Sequence, residues 1–260
     1  MKAIQFLLTT LVVLIVMSSA ITAQNEFGLP EAIDNLEHAN LTNDISGIMN
    51  AHGLFERIIS AEPENYYAVY YKLLAEYRLI TADHNGEFQM LDKYYDDAIE
   101  SLEKLSDYRS LASEIKTLKA AIHMMKLADS PMSGRSLSPK IHSLLDEALI
   151  DNPGNPRAYL IRGIMAFNTP AMFGGSKEDA IKFLNTSQKL FETSVEKDSV
   201  SPSWGYNETF AWLGMAYTEL RDYNSAKSIY ENGLEVEPNF GWIKFQLLPN
   251  LNQQVAENEN

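Results

Sequence analysis

Cysteine is absent from all 260 residues. That removes disulfides, thiolate metal sites and a cysteine nucleophile together. It also excludes a lipid-anchored bacterial lipoprotein, whose mature chain must begin with that residue. Positive charge is scarce: 21 Lys and Arg stand against 35 Asp and Glu, a formal net charge of −14. So acidic a chain lacks the clustered cations that nucleic acid or an anionic bilayer surface would need, and neither is an expected partner. The five histidines include no pair four apart, so the H-E-x-x-H zinc pattern is missing. No G-x-S-x-G occurs, which leaves nucleophile-elbow hydrolases without support. Phe173-Gly174-Gly175 lacks the Gly-Lys-Ser/Thr ending of a phosphate loop. No enzyme, no metal and no cofactor is therefore expected.

Long hydrophobic runs are missing too, except at the start. Lys2 gives a positive beginning, Phe6 to Met17 is apolar apart from Thr9 and Thr10, and Ser18 to Ala23 supplies small residues. The run is shorter than the ~20 residues a spanning helix needs. Residues 1–23 read as a signal peptide cut before Gln24, leaving no transmembrane anchor. An uncleaved anchor is the competing reading. The mature chain, residues 24–260, is expected as one exported domain. A periplasm suits a cysteine-free exported chain better than a disulfide-stapled secreted fold does, with secretion as the alternative.

What remains is rich in apolar residues, 45% overall with 10% aromatic, enough for a sizeable core. These residues recur at helical spacing. Between Asn207 and Asn239 stand Phe210-x2-Leu213-Gly214-x2-Tyr217, then Ala226-x3-Tyr230, then Pro238. Phe210, Leu213 and Tyr217 share a face of one helix. Gly214 removes a side chain where a second helix must come close. Ala226, Tyr230 and Leu234 carry that helix's buried stripe, and Pro238 ends it. The pattern returns in part elsewhere. Ala51-x3-Phe55 precedes Pro63, and Tyr70-x2-Leu73-Leu74-x2-Tyr77 follows it, with leucine where the close-packing glycine would stand. A wider helix pair is expected there. Ala61 to Asn65, Asp151 to Asn155 and Val236 to Phe240 are three versions of one inter-helix turn.

This spacing resembles the tetratricopeptide repeat, with Phe for Trp and Tyr for Phe. The resemblance covers most of residues 30–255. It implies an all-α, right-handed helical-repeat solenoid of about five antiparallel hairpins, closed by a capping helix at about Trp242 to Val255. Helices are expected at about Asp107 to Ala128 and from Ser138-Pro139 to Pro153, with a Ser-, Pro- and Gly-rich loop over 129–138. The histidines read as surface or boundary residues.

Tetratricopeptide proteins bind a protein or peptide partner in a concave groove lined by the first helix of each hairpin. That implies groove-facing positions here at Tyr71, Arg78, Arg157, Ile164, Trp212, Met215 and Glu219. Two hairpins also carry insertions at equivalent places, Thr81 to Leu91 and Asn168 to Lys177. Phe88, Met172 and Phe173 in them are candidates to border the mouth of the groove. The opposing expectation is that they only tuck the loops onto the core. Pro170-x2-Phe173-Gly174-Gly175-Ser176 is similar to a loop of the periplasmic subunits of TRAP-type transporters. That resemblance implies, as the alternative function, binding of a small organic ligand. The lipoprotein cysteine that such subunits often carry is missing here.

Overall fold

The computed structural model describes residues 28–82, 89–105, 108–194 and 198–258. The expected leader, 1–23, and the candidate Phe88 lie outside them. Five hairpins follow one another: α1 (Leu29–Leu41) with α2 (Ile45–Ala61), α3 (Tyr66–Thr81) with α4 (Gln89–Lys104), α5 (Ala112–Asp129) with α6 (Gly134–Asp151), α7 (Pro156–Asn168) with α8 (Lys177–Thr193), and α9 (Tyr206–Glu219) with α10 (Tyr223–Val236). A π-helical turn, Ile243–Leu247, then leads into the cap, α11 (Leu248–Asn258). No strand occurs among the described residues.

The hairpins stack in two layers. The first helices touch in series, α1 to α3 to α5 to α7 to α9. Apart from α1, they are buried on nearly every side: in α3 the run from Tyr70 to Ile80 is covered except at Lys72. The outer helices bury one stripe each, such as Ile48, Ala51 and Phe55 in α2. This is why period-3.6 patterning is clear in the outer helices and blurred in the inner ones. The α3–α4 pair, with Leu74 at the glycine position, is the least extensively packed hairpin, as its sequence implies.

Capping explains where several helices begin. The Asn65 side chain accepts the Ala68 N–H at 3.0 Å, and Ser176 Oγ accepts the Asp179 N–H at 3.0 Å. Asn155 does more. Fully buried, its carbonyl oxygen accepts the Arg157 N–H at 2.9 Å, while its amide donates to Ser113 Oγ at 2.8 Å. Ser113 in turn donates to the Ala148 carbonyl at 2.8 Å, so one side chain ties α7 to both helices of the third hairpin. Asn155→Ala is expected to lose about 2 kcal/mol, the upper end for a cap, because it also removes the buried bond to the Ser113 hydroxyl. Urea unfolding with an unchanged midpoint would contradict it.

Three boundaries differ from the sequence reading. The α5 region opens with a 3-10 turn, Arg109–Leu111, before Ala112. The expected loop over 129–138 shrinks to Ser130–Ser133, and α6 starts at Gly134 and runs through Pro139. Pro139 is exposed and near the helix start, so its missing donor leaves only the Arg135 carbonyl to solvent. At the cap, Pro249 cannot donate to the Phe245 carbonyl. The bonding slips to the wider π register over the preceding turn.

Candidate functional site

The inner layer curves until its ends meet. Asn40 Nδ2, near the end of α1, donates to Glu208 Oε1 on α9 at 3.2 Å. Glu208 Oε1 also lies 2.5 Å from Arg78 Nη2 on α3, an ion pair across the inside of the molecule. The backbone at Gly241 approaches so closely that a Cβ there would stand 3.2 Å from the Leu41 carbonyl oxygen. First, second and fifth hairpins thus share one seam.

The segment between α8 and α9 fills the space inside. Gly205, at φ +107°, turns the chain so that Trp204 points inward. A side chain at Gly205 would strike Leu160 and Phe191 as well as strain the backbone. Trp204 is buried. Its Nε1–H donates to the Tyr70 hydroxyl at 2.8 Å, and the Arg78 guanidinium lies 5.3 Å from its ring centre. Close by, Tyr71 donates to the Ser201 carbonyl at 3.0 Å.

A second ion pair lies beneath this plug. Arg157 reaches Glu114 with two parallel bonds, Nε to Oε2 at 2.7 Å and Nη2 to Oε1 at 2.6 Å. Burial acts to lower the Arg157 pKa, but the Glu114 carboxylate outweighs it and the guanidinium is held above its ordinary value. Burial also drives the Tyr70 and Tyr71 hydroxyls well above the usual phenol range, and Tyr77 up to about 12. Glu37 on α1 stands apart. Burial, partly offset by Arg78 and reinforced by Glu208, pushes its carboxyl up to about 7. Its Oε1 is buried without a hydrogen-bond partner.

The groove candidates therefore separate into two sets. Tyr71, Arg78, Arg157 and Ile164 face inward, but the protein's own side chains cover them: none is more than 8% exposed. Trp212 and Met215 are half-buried and Glu219 is exposed. Trp212 joins an aromatic ladder, 5.4 Å from Phe167 and 5.6 Å from Trp242 between ring centres, both edge-on. Met172 and Phe173 sit on a 3-10 turn, Ala171–Phe173, with 82% and 73% of their surface exposed. The turn itself is tied down. The Phe173 and Gly175 N–H groups donate to the Pro170 carbonyl, Ser176 N–H to the Ala166 carbonyl, and Lys177 Nζ to the Phe167 carbonyl. Gly174 takes the expected positive φ, +90°.

Two shallow surface clefts lie elsewhere, one of about 520 Å³ beside Tyr66, Tyr67 and Tyr108 and one of about 420 Å³ between α10 and α11. Neither contains a sequence candidate. Among the described residues, no three His, Asp or Glu side chains converge as a metal site. No described helix is long and apolar enough to cross a membrane.

The sequence reading missed Trp204, Glu37 and His123. An aromatic residue followed by glycine in a Ser- and Pro-containing connector was the available signal for Trp204. His123 was expected at a surface or boundary. Instead it is 2% exposed and shares a 2.8 Å hydrogen bond with the Tyr95 hydroxyl. Burial, with Lys140 and Lys119 nearby, lowers its pKa to about 4, so the ring is neutral at pH 7.

Comparison with known proteins agrees with this architecture. The tetratricopeptide-repeat family model matches residues 208–240. No curated protein sequence matches the chain. Among solved structures, the chain is similar to the haemophore HusA of Porphyromonas gingivalis, at 24% identity over 74% of this chain and 92% of that one, with a TM-score of 0.62. It is also similar to a thermophilic tetratricopeptide-repeat protein of Thermus thermophilus, at 18% identity over 87% of this chain and 97% of that one, with a TM-score of 0.53. Residues 208–240 thus match the tetratricopeptide repeat by sequence, and the whole helical-repeat array resembles tetratricopeptide-repeat proteins in fold.

Proposed function

We propose that this scaffold is a non-catalytic binding protein, exported from the cell, that docks a protein or peptide partner through an apolar edge. The observation that carries this reading is the Met172–Phe173 turn. Two large apolar side chains are held out in water by a turn that the Phe173, Gly174, Gly175 and Ser176 N–H groups close with backbone hydrogen bonds. Exposed apolar residues on a pre-ordered turn lose little further entropy on binding, which favours them as anchors. The filled inner face argues against a peptide threaded through an open groove.

The experiment compares the wild type with Met172→Ser/Phe173→Ser in crosslinking and co-purification from the native envelope. Because both side chains are exposed, the double variant should keep its stability within about 0.5 kcal/mol. Loss of a partner that the wild type captures supports the edge, and equal capture by both rejects it.

A second reading rests on the likeness to a haemophore. The Phe167–Trp212–Trp242 ladder would then stack a flat apolar ligand instead. Haemin titration, read by its absorbance and repeated with Trp212→Ala, separates the two. A saturable one-to-one change that the variant weakens favours the ligand. No change in the wild type removes it.

A further inference from the structure

The seam that closes the inner layer contains an unbalanced acid. Glu37 lies on α1 against the inner face, its Oε1 buried without a partner. The charged and titratable groups acting on it come from four helices: Arg78 and Tyr71 on α3, Arg157 on α7, Glu208 on α9, and Asp34 on its own helix. Both cations are already engaged, Arg78 with Glu208 and Arg157 with Glu114. Ionised, Glu37 has two courses. It can remain a half-buried carboxylate whose Oε1 has no bonding partner, or it can draw Arg78 from Glu208. The second course frees Glu208, which also holds Asn40. Either course weakens the same contact between the first and fifth hairpins.

We propose that the first hairpin is a clasp over the inner face, shut while Glu37 carries its proton and released when that proton is lost. What the clasp uncovers is the surface around Tyr71, Arg78 and Trp204, so the occluded side of the solenoid becomes accessible on demand. The proposal concerns the molecule's own opening and stands whether or not the Met172–Phe173 edge binds a partner.

The direction follows from linkage. The closed state keeps the Glu37 proton up to about pH 7, whereas a solvated carboxyl releases it at an ordinary 4.5. Closure is therefore fully favoured below 4.5 and progressively loses that advantage as pH rises to 7. If opening restores the ordinary value, the open-to-closed ratio rises by up to about 300-fold across that window.

The absence of native cysteine makes the test clean. Spin labels on His38→Cys and Gln246→Cys, both at exposed positions, report the distance between the first hairpin and the C-terminal cap in the full chain. The expected result is one short distance at pH 5 and a longer population at pH 8.5, with the same label pair staying short at both pH values in Glu37→Gln. Circular dichroism on the same samples should show unchanged helicity. A distance that ignores pH overturns the clasp. So does an opening that persists in Glu37→Gln, or one that coincides with loss of helicity throughout the chain.

Discussion

Gly214→Leu is expected to cost at least about 3 kcal/mol, the top of the usual overpacking range, which for a chain of this size lowers Tm by roughly 6–12 °C. The reason is the crossing of α9 and α10. A Cβ on Gly214 would collide with the face of the Tyr230 ring, 2.5 Å from Cδ1 and nearer still to Cε1. Tyr230 is 2% exposed and packed among Phe210, Ala226 and Ile243, so it has nowhere to swing. Relief requires the two helices to part, and the capping helix is stacked on the second of them. Gly53→Ala is the internal control. Its Cβ would meet nothing nearer than the Arg57 guanidinium at 3.7 Å, in the middle of α2. Removing glycine's backbone freedom there should stabilise by about 0.5–1 kcal/mol. Thermal melts of the two variants should move in opposite directions. A Gly214→Leu melt within error of the wild type would show that the helices do not approach in this way.

The second large effect is expected at Arg157. Arg157→Met leaves the Glu114 carboxylate buried, with only the long 3.5 Å bond from the Tyr70 hydroxyl. Stranding one member of a buried ion pair costs about 3–5 kcal/mol. Arg157→Lys should lose part of this, because an ammonium cannot reproduce the fork that meets both carboxylate oxygens. The double variant Arg157→Met/Glu114→Leu should recover most of the loss, since removing both charges also removes their desolvation cost. Tyr70 would still accept from Trp204, so the plug is kept. Urea unfolding of the three variants tests the order. A double variant less stable than either single replacement would mean that the pair itself stabilises the fold, not only that each charge needs the other.

The hairpins were legible because their determinants are local. Small residues and aromatics at fixed offsets mark where two neighbouring helices cross, and the Pro-containing turns mark where they end. The inner face was legible in direction only. Helical spacing placed Tyr71, Arg78, Arg157 and Ile164 inward, but spacing carries no information about curvature. How far the array bends, and that a connector 130 residues away drops Trp204 into the space, depends on contacts without any period in sequence. His123 escaped for a related reason. On an inner helix covered from all sides, a polar side chain with one good partner is accommodated where a one-sided amphipathic pattern would place it outside. Pro139 misled in the opposite sense. A proline near a helix start marks the beginning only if it occupies the first turn, and here the helix begins five residues earlier.

Closure of the array changes how the molecule must come apart. In an open repeat array each unit meets only its neighbours, and the ends fray independently of the middle. Here hydrogen bonds span 168 residues, from Asn40 to Glu208, and 130, from Tyr71 to Ser201. The terminal hairpins are each other's neighbours, so neither can peel away at the free cost of a chain end. Amide protection is therefore shared between the first and last repeats instead of declining toward them. The same geometry slows assembly. Most of the chain must already be ordered before these distant partners meet, so folding carries a loop-closure entropy that a straight stack of helical pairs avoids.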